Sequence, residues 1–239
     1  MNTPAKSVVL FVLCAMAISC QIDVKGIKGS GHVTTQTRDI AEPFTGVEVT
    51  SGLDVVLEQG PSGVRVEADD NLHQHIHMSV KSGVLKISSD HSSYINVKSR
   101  TVHVSAPEIT SLKTSGGANL KTRGELSSDK MNIRAKSGSS IKVSVSADNT
   151  ECDASSGSSI AIRGKALTLS ASSSSGSTID ASEMLANDIE VKSSSGSNVT
   201  VQPLLKLKAK ASSGSSVQYR GNPREVVSDA GYGGSVSKI

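Results

Sequence analysis

The segment HQHIH places His73, His75 and His77 at a spacing that could do chemistry. On an extended strand, residues i, i+2 and i+4 share a face, so three imidazoles could converge on a transition metal. A plainer reading has Ile76, Met78 and Val80 facing a core, with the histidines as the outward residues of the same strand. A second cluster, LLKLKAK, sets Lys206, Lys208 and Lys210 on one face, with Leu205, Leu207 and Ala209 on the other. These cations could attract an anionic glycan or lipopolysaccharide, or could form a solvated face that discourages edge-to-edge pairing. Cys152 occupies an apolar repeat position and is expected to be a buried, inert thiol. Serines abound, yet no G-x-S-x-G elbow with partners stands out. Asp153 and Asp180 fall at different offsets of the repeat, so they build no column of carboxylates for glycoside chemistry. The residues therefore assign no catalytic group and no cofactor.

The elements that position these residues are read from composition and periodicity. Aromatic residues make up 2% of the chain and Trp is absent, so the interior must be built from Val, Ile, Leu, Ala and Ser. A net charge of +3, without basic runs interleaved with aromatics, argues against a nucleic-acid partner.

Stretches such as SASSSSGSTIDAS resemble flexible linkers until they are aligned with one another. Gly117, Gly138, Gly157, Gly176, Gly196, Gly214 and Gly233 each centre an S-G-S or G-G element, at intervals of 18 to 21 residues. Three residues after the glycine stand Leu120, Ile141, Ile160, Ile179, Val199, Val217 and Val236. Five before it stand Leu112, Ile133, Cys152, Ala171, Val191, Ala209 and Ser228. A linker has no reason to keep apolar residues at fixed offsets. The alternation has period 2, so each repeat is a pair of short strands cornered at the glycine, with the next turn expected near Arg163-Gly164-Lys165. Such a unit buries its apolar side only by stacking on its neighbours. The fold class is therefore all-β: a parallel β-helix, expected to be right-handed, with rungs of ~19 residues. Residues 170–182 should be ordered, with serines stacked on those around Gly157 and Gly196.

The N-terminal part is less regular. VEVTSGLDVVL repeats the same grammar around Gly52, and MSVKSGVLKIS and INVKSRTVHVSA resemble hairpins. Residues 42–110 are thus an N-terminal β part, 111–239 the solenoid, and 21–41 a linker or N-terminal arm. Residues 1–20 carry Lys6 and an apolar run from Val8 to Ile18, too short to span a bilayer and suited to a signal peptide. Ala17-Ile18-Ser19-Cys20 resembles the lipobox of bacterial lipoproteins, although Ala17 stands where leucine is usual. That resemblance implies lipidation of Cys20 and a membrane attachment through the lipid. Cys152 is then the one cysteine of the body, so no intramolecular disulfide is available.

The export signal, the PFTGVEVTSGLDVVLEQG opening, the DNLHQHIHMSVKSGVLKIS segment and the GSG-centred tail together resemble the head GIN domain family of auto-transporter-like adhesins, over about residues 40–239. The resemblance implies an exported outer-membrane lipoprotein that binds host or bacterial surface glycans or proteins, and it supplies no catalytic residues. Two other readings are a structural or envelope-stress accessory protein facing the periplasm, and a β-helix carbohydrate-active enzyme.

Overall fold

A computed structural model describes residues 26–239. Cys20 and the leader lie outside the described residues. The N-terminal arm contains β1 (Ile27–Lys28) and β2 (Val33–Thr37), followed by β3 (Gly46–Val49) and β4 (Asp54–Gln59). Next come β5 (Gly63–Asp69), a 3-10 helix (Asp70–His75), β6 (Ile76–Lys81), β7 (Val84–Ser89), β8 (Tyr94–Ile95), β9 (Arg100–Ala106) and β10 (Ser111–Thr114). The long strands are β11 (Asn119–Lys136), β12 (Ser140–Ser155), β13 (Ser159–Ser173), β14 (Thr178–Ser193) and β15 (Asn198–Ala211). The chain ends in β16 (Ser216–Tyr219), β17 (Glu225–Ala230) and β18 (Ser235–Lys238).

From β10 onward each rung pairs in parallel with the next, and the repeat offsets become the ladder itself: Leu120 pairs with Ile141, Ile141 with Ile160, Ile160 with Ile179 and Ile179 with Val199. All five are buried, as are Leu112, Ile133, Cys152, Ala171, Val191 and Ala209 on the opposite wall. The interior is a narrow file of aliphatic side chains, so aromatic bulk has no place in it.

The S-G-S corner explains the serines. Ser137, Ser156, Ser175, Ser195 and Ser213 have φ of 53–55°, and the glycines that follow have φ of 68–70°. Two successive left-handed residues make a type I′-like turn, closed by bonds such as Ser177 N–H to Ser174 C=O at 3.3 Å. The glycine supplies its conformation without Cβ strain, and serine tolerates the first position at a modest cost. The next serine points inward and is buried. Ser177 Oγ accepts the Ser174 N–H at 3.1 Å and lies 2.8 Å from the Ala154 carbonyl of the preceding rung. Ser158, Ser197 and Ser215 repeat this arrangement against Ala135, Ser173 and Ser193. Corner also bonds to corner: Gly157 N–H donates to Ser175 C=O and Gly176 N–H to Ser195 C=O, each at 3.0 Å. Residues 170–182 are thus an ordered corner in a stack.

The second turn is gentler than the repeat suggests. β13 runs through Arg163-Gly164-Lys165 without leaving the ladder, pairing them with Ser144, Val145 and Ser146. Gly164 bends the strand at φ 117°. The inward phase holds from Ile162 to Ala166 and then slips by one residue, with Leu167 and Thr168 both exposed before Leu169 is buried. In β15 Val201, Pro203 and Leu207 are buried while Leu205 is exposed, correcting the expectation that Leu205 lies on the inner face with Leu207 and Ala209.

The N-terminal part joins the same stack in non-sequential order. β3 lies between β10 and β7, and β4 between β11 and β9, so the Gly52 rung is inserted beneath the Gly117 rung. β6 and β7 form the expected hairpin, turning at Ser82-Gly83 with φ of 51° and 73°. INVKSRTVHVSA makes no hairpin; β8 pairs with β1 and β9 pairs with β4 and β5. The arm is tied down through β1 with β8 and β2 with β5, and through Asp69, whose carboxylate is wholly buried.

Candidate functional site

The three histidines do not converge. His73 and His75 lie in the 3-10 helix and His77 in β6, so the strand spacing that would align them is broken. His73 is buried, with Nε2 at 2.9 Å from Thr34 Oγ1, contrary to the expectation that all three point outward. His77 Nε2 is 2.8 Å and His75 Nδ1 3.4 Å from the two oxygens of Asp90. Hydrogen bonds from His77 and His75 hold the Asp90 carboxyl below the usual range. Among the described residues no group of three or more His, Cys, Asp or Glu side chains could hold a metal ion.

The lysine stripe is present but neutralised. Lys206 pairs with Glu225 at 3.0 Å, Lys208 with Glu190 at 3.6 Å and Lys210 with Asp229 at 3.0 Å. Lys192 and Lys208 hold Glu190 below the usual carboxylate range. Burial pushes the Cys152 thiol far up, which removes it as a nucleophile.

The arrangement with most to offer lies at the second turn of the rungs. An open groove of about 430 Å³ is lined by Lys121, Lys142 and Arg163 toward its N-terminal rungs, and by Asp180, Ser182 and Glu183 toward the C-terminal ones. Its volume falls within the ~300–1,000 Å³ of ligand sites. Three ladder irregularities build its walls. Register shifts fall between Lys121 and Glu125, between Ala161 and Arg163, and between Ala181 and Leu185. Such bulges re-aim side chains and recur beside functional sites. Thr122 Oγ1 accepts the Ser144 N–H at 3.1 Å and Asp180 Oδ1 the Ser182 N–H at 3.1 Å, which fixes both ends.

The cations of this groove differ from the bridged cations of the rungs. Lys130, Arg134 and Lys192 find Glu151, Asp153 and Glu190 within 3.4 Å, as the three stripe lysines find theirs. Lys121 and Lys142 instead face each other as ladder partners on adjacent strands, about 4.8 Å apart at the backbone. Among the described residues neither they nor Arg163 forms an ion pair, although Arg163 stands opposite Glu183 in the ladder. Sequence reasoning missed this site although a signal existed. The 21-residue interval from Gly117 to Gly138 and the 20-residue interval from Gly176 to Gly196 carry the extra residues that become two of the walls.

A family model described as "Putative auto-transporter adhesin, head GIN domain" matches residues 43–223. Solved structures share the fold. A protein described as a "putative adhesin" from Bacteroides fragilis superposes with a TM-score of 0.82 at 19% identity, over 90% of this chain and 100% of that one. A "putative lipid binding protein" from Parabacteroides distasonis gives 0.69 at 20% identity, over 90% and 100%. A "putative adhesin" from Parabacteroides merdae gives 0.68 at 20% identity, over 90% and 99%. A comparison with curated proteins finds no match.

Proposed function

This chain belongs to the head GIN domain family of auto-transporter adhesins, and we propose on that premise that it is an exported surface-binding module that acts by contact and not by catalysis. The observation that carries the reading is the groove: open, lined by charged and aliphatic residues, built by bulges on the parallel ladder, and holding the stacked Lys121 and Lys142 without an ion pair. A ladder that continues through the groove holds its side chains in place before a ligand arrives, which lowers the ordering cost of binding. Export and outer-membrane attachment through a lipid on Cys20 complete the proposal, and surface glycans or proteins of host or bacterial cells are the partners.

Deletion of the gene is expected to reduce attachment of the bacterium to cell surfaces, with recovery on complementation. Protease treatment of intact cells should remove the protein. Unchanged attachment, protection from protease and a weakened envelope would favour a structural role on the periplasmic side.

A further inference from the structure

Resting on the surface-binding reading, we propose that the groove at the second turn takes an acidic glycan chain, with Lys121, Lys142 and Arg163 holding its anionic groups and Asp180 and Glu183 accepting hydrogen bonds from its hydroxyls. Stacked like charges in register destabilise a sheet. Where cations stack elsewhere, as Lys113 on Arg134 and Lys192 on Lys210, at least one member is bridged to a carboxylate, Arg134 to Asp153 and Lys210 to Asp229. Lys121 over Lys142 is a stacked pair with neither member bridged, and Arg163, set opposite Glu183 in the ladder, adds a cation one rung further on and two residues along the strand. A bound anion relieves the repulsion, so the site gains from its ligand what it lacks alone.

The other end of the groove selects among polyanions. Asp180 and Glu183 repel a ligand whose repeats carry charge alone, such as polyphosphate, and they favour one whose repeats carry hydroxyl donors beside the charge. No aromatic side chain lines the groove, so base stacking has no platform. A uronate-bearing or sulfated polysaccharide carries both kinds of group.

The test is titration of the purified protein with alginate as polyuronate, with neutral dextran and with polyphosphate, at low and physiological salt. Alginate should bind, weakening as salt rises. Dextran should not bind, and polyphosphate should bind more weakly than alginate. The triple variant K121Q/K142Q/R163Q should bind alginate about tenfold more weakly, from three exposed ion pairs of ordinary strength. K206Q/K208Q/K210Q, whose lysines already have partners, should stay within about twofold of wild type. Salt-independent binding, equal binding of dextran or polyphosphate, or equal loss in both triple variants would overturn the assignment. Attachment of cells without alginate binding would overturn this proposal and leave the surface-binding reading standing.

Discussion

Gly164→Ala is expected to remove about 3–5 kcal/mol of stability. A Cβ built at Gly164 lies 2.0 Å from the Val145 carbonyl oxygen of the preceding rung, and the φ of 117° is closed to other residues. The clash is with backbone that already belongs to the ladder, so neither partner can move without breaking the pairing of β12 with β13. Gly176→Ala provides the contrast. Its φ of 70° is also positive, yet nothing lies within 4 Å of the added atom. Only the left-handed penalty remains, about 1–2 kcal/mol. Thermal unfolding should therefore fall by about 10 °C or more for Gly164→Ala and by only a few degrees for Gly176→Ala. Equal shifts would mean that the rungs approach each other less closely at the second turn than the structure has them.

Asp69→Ala is the second large effect, also about 3–5 kcal/mol. The Asp69 carboxylate accepts Lys98 N–H and Ser99 N–H at 3.0 Å through one oxygen, and Gly31 N–H at 2.8 Å through the other. It thereby holds the N-terminal arm and the turn before β9 to the end of β5, and its loss leaves three backbone donors without a partner. Burial pushes the Asp69 pKa up, but the three N–H donors, Ser99 first, outweigh it and hold the carboxyl below its ordinary value. A folded-state pKa below the unfolded one means that stability is present above an unfolded pKa of about 3.9 and is lost as pH falls through the folded value. Denaturant titrations from pH 6 down to pH 2 should show this loss. In Asp69→Asn the profile should be flatter, without becoming level, because the Asp90 and Glu190 carboxyls are lowered too. A profile unchanged by the substitution would remove Asp69 as a source of acid sensitivity.

What could be read in the sequence follows from where the chain repeats itself. Leu120, Ile141, Ile160 and Ile179 sit at one offset because one wall of the solenoid needs an aliphatic side chain at every rung, so the fold and the order of SASSSSGSTIDAS were legible. The left-handed serine before each glycine was not, since serine has no sequence mark for φ. The insertion of the Gly52 rung between β10 and β7 was hidden for a different reason: parallel pairing between distant segments leaves no local signature. His73 was misplaced because a 3-10 turn of six residues interrupts an apparently alternating run. The groove lay only partly inside the pattern. Lys121, Lys142 and Asp180 share one offset, but Arg163 and Glu183 lie where register slips, so no single offset contains the site. The lysine stripe drew attention instead, because charge is visible in a sequence and the acids that neutralise it one rung away are not.

Surface glycans are expected to bind the solenoid through this groove. A glycan array probed with the purified protein tests it most directly. Signal should concentrate on uronate-bearing and sulfated glycans and fall in K121Q/K142Q/R163Q. Folded protein that gives no signal above blank, or binds neutral glycans equally in wild type and variant, would contradict it.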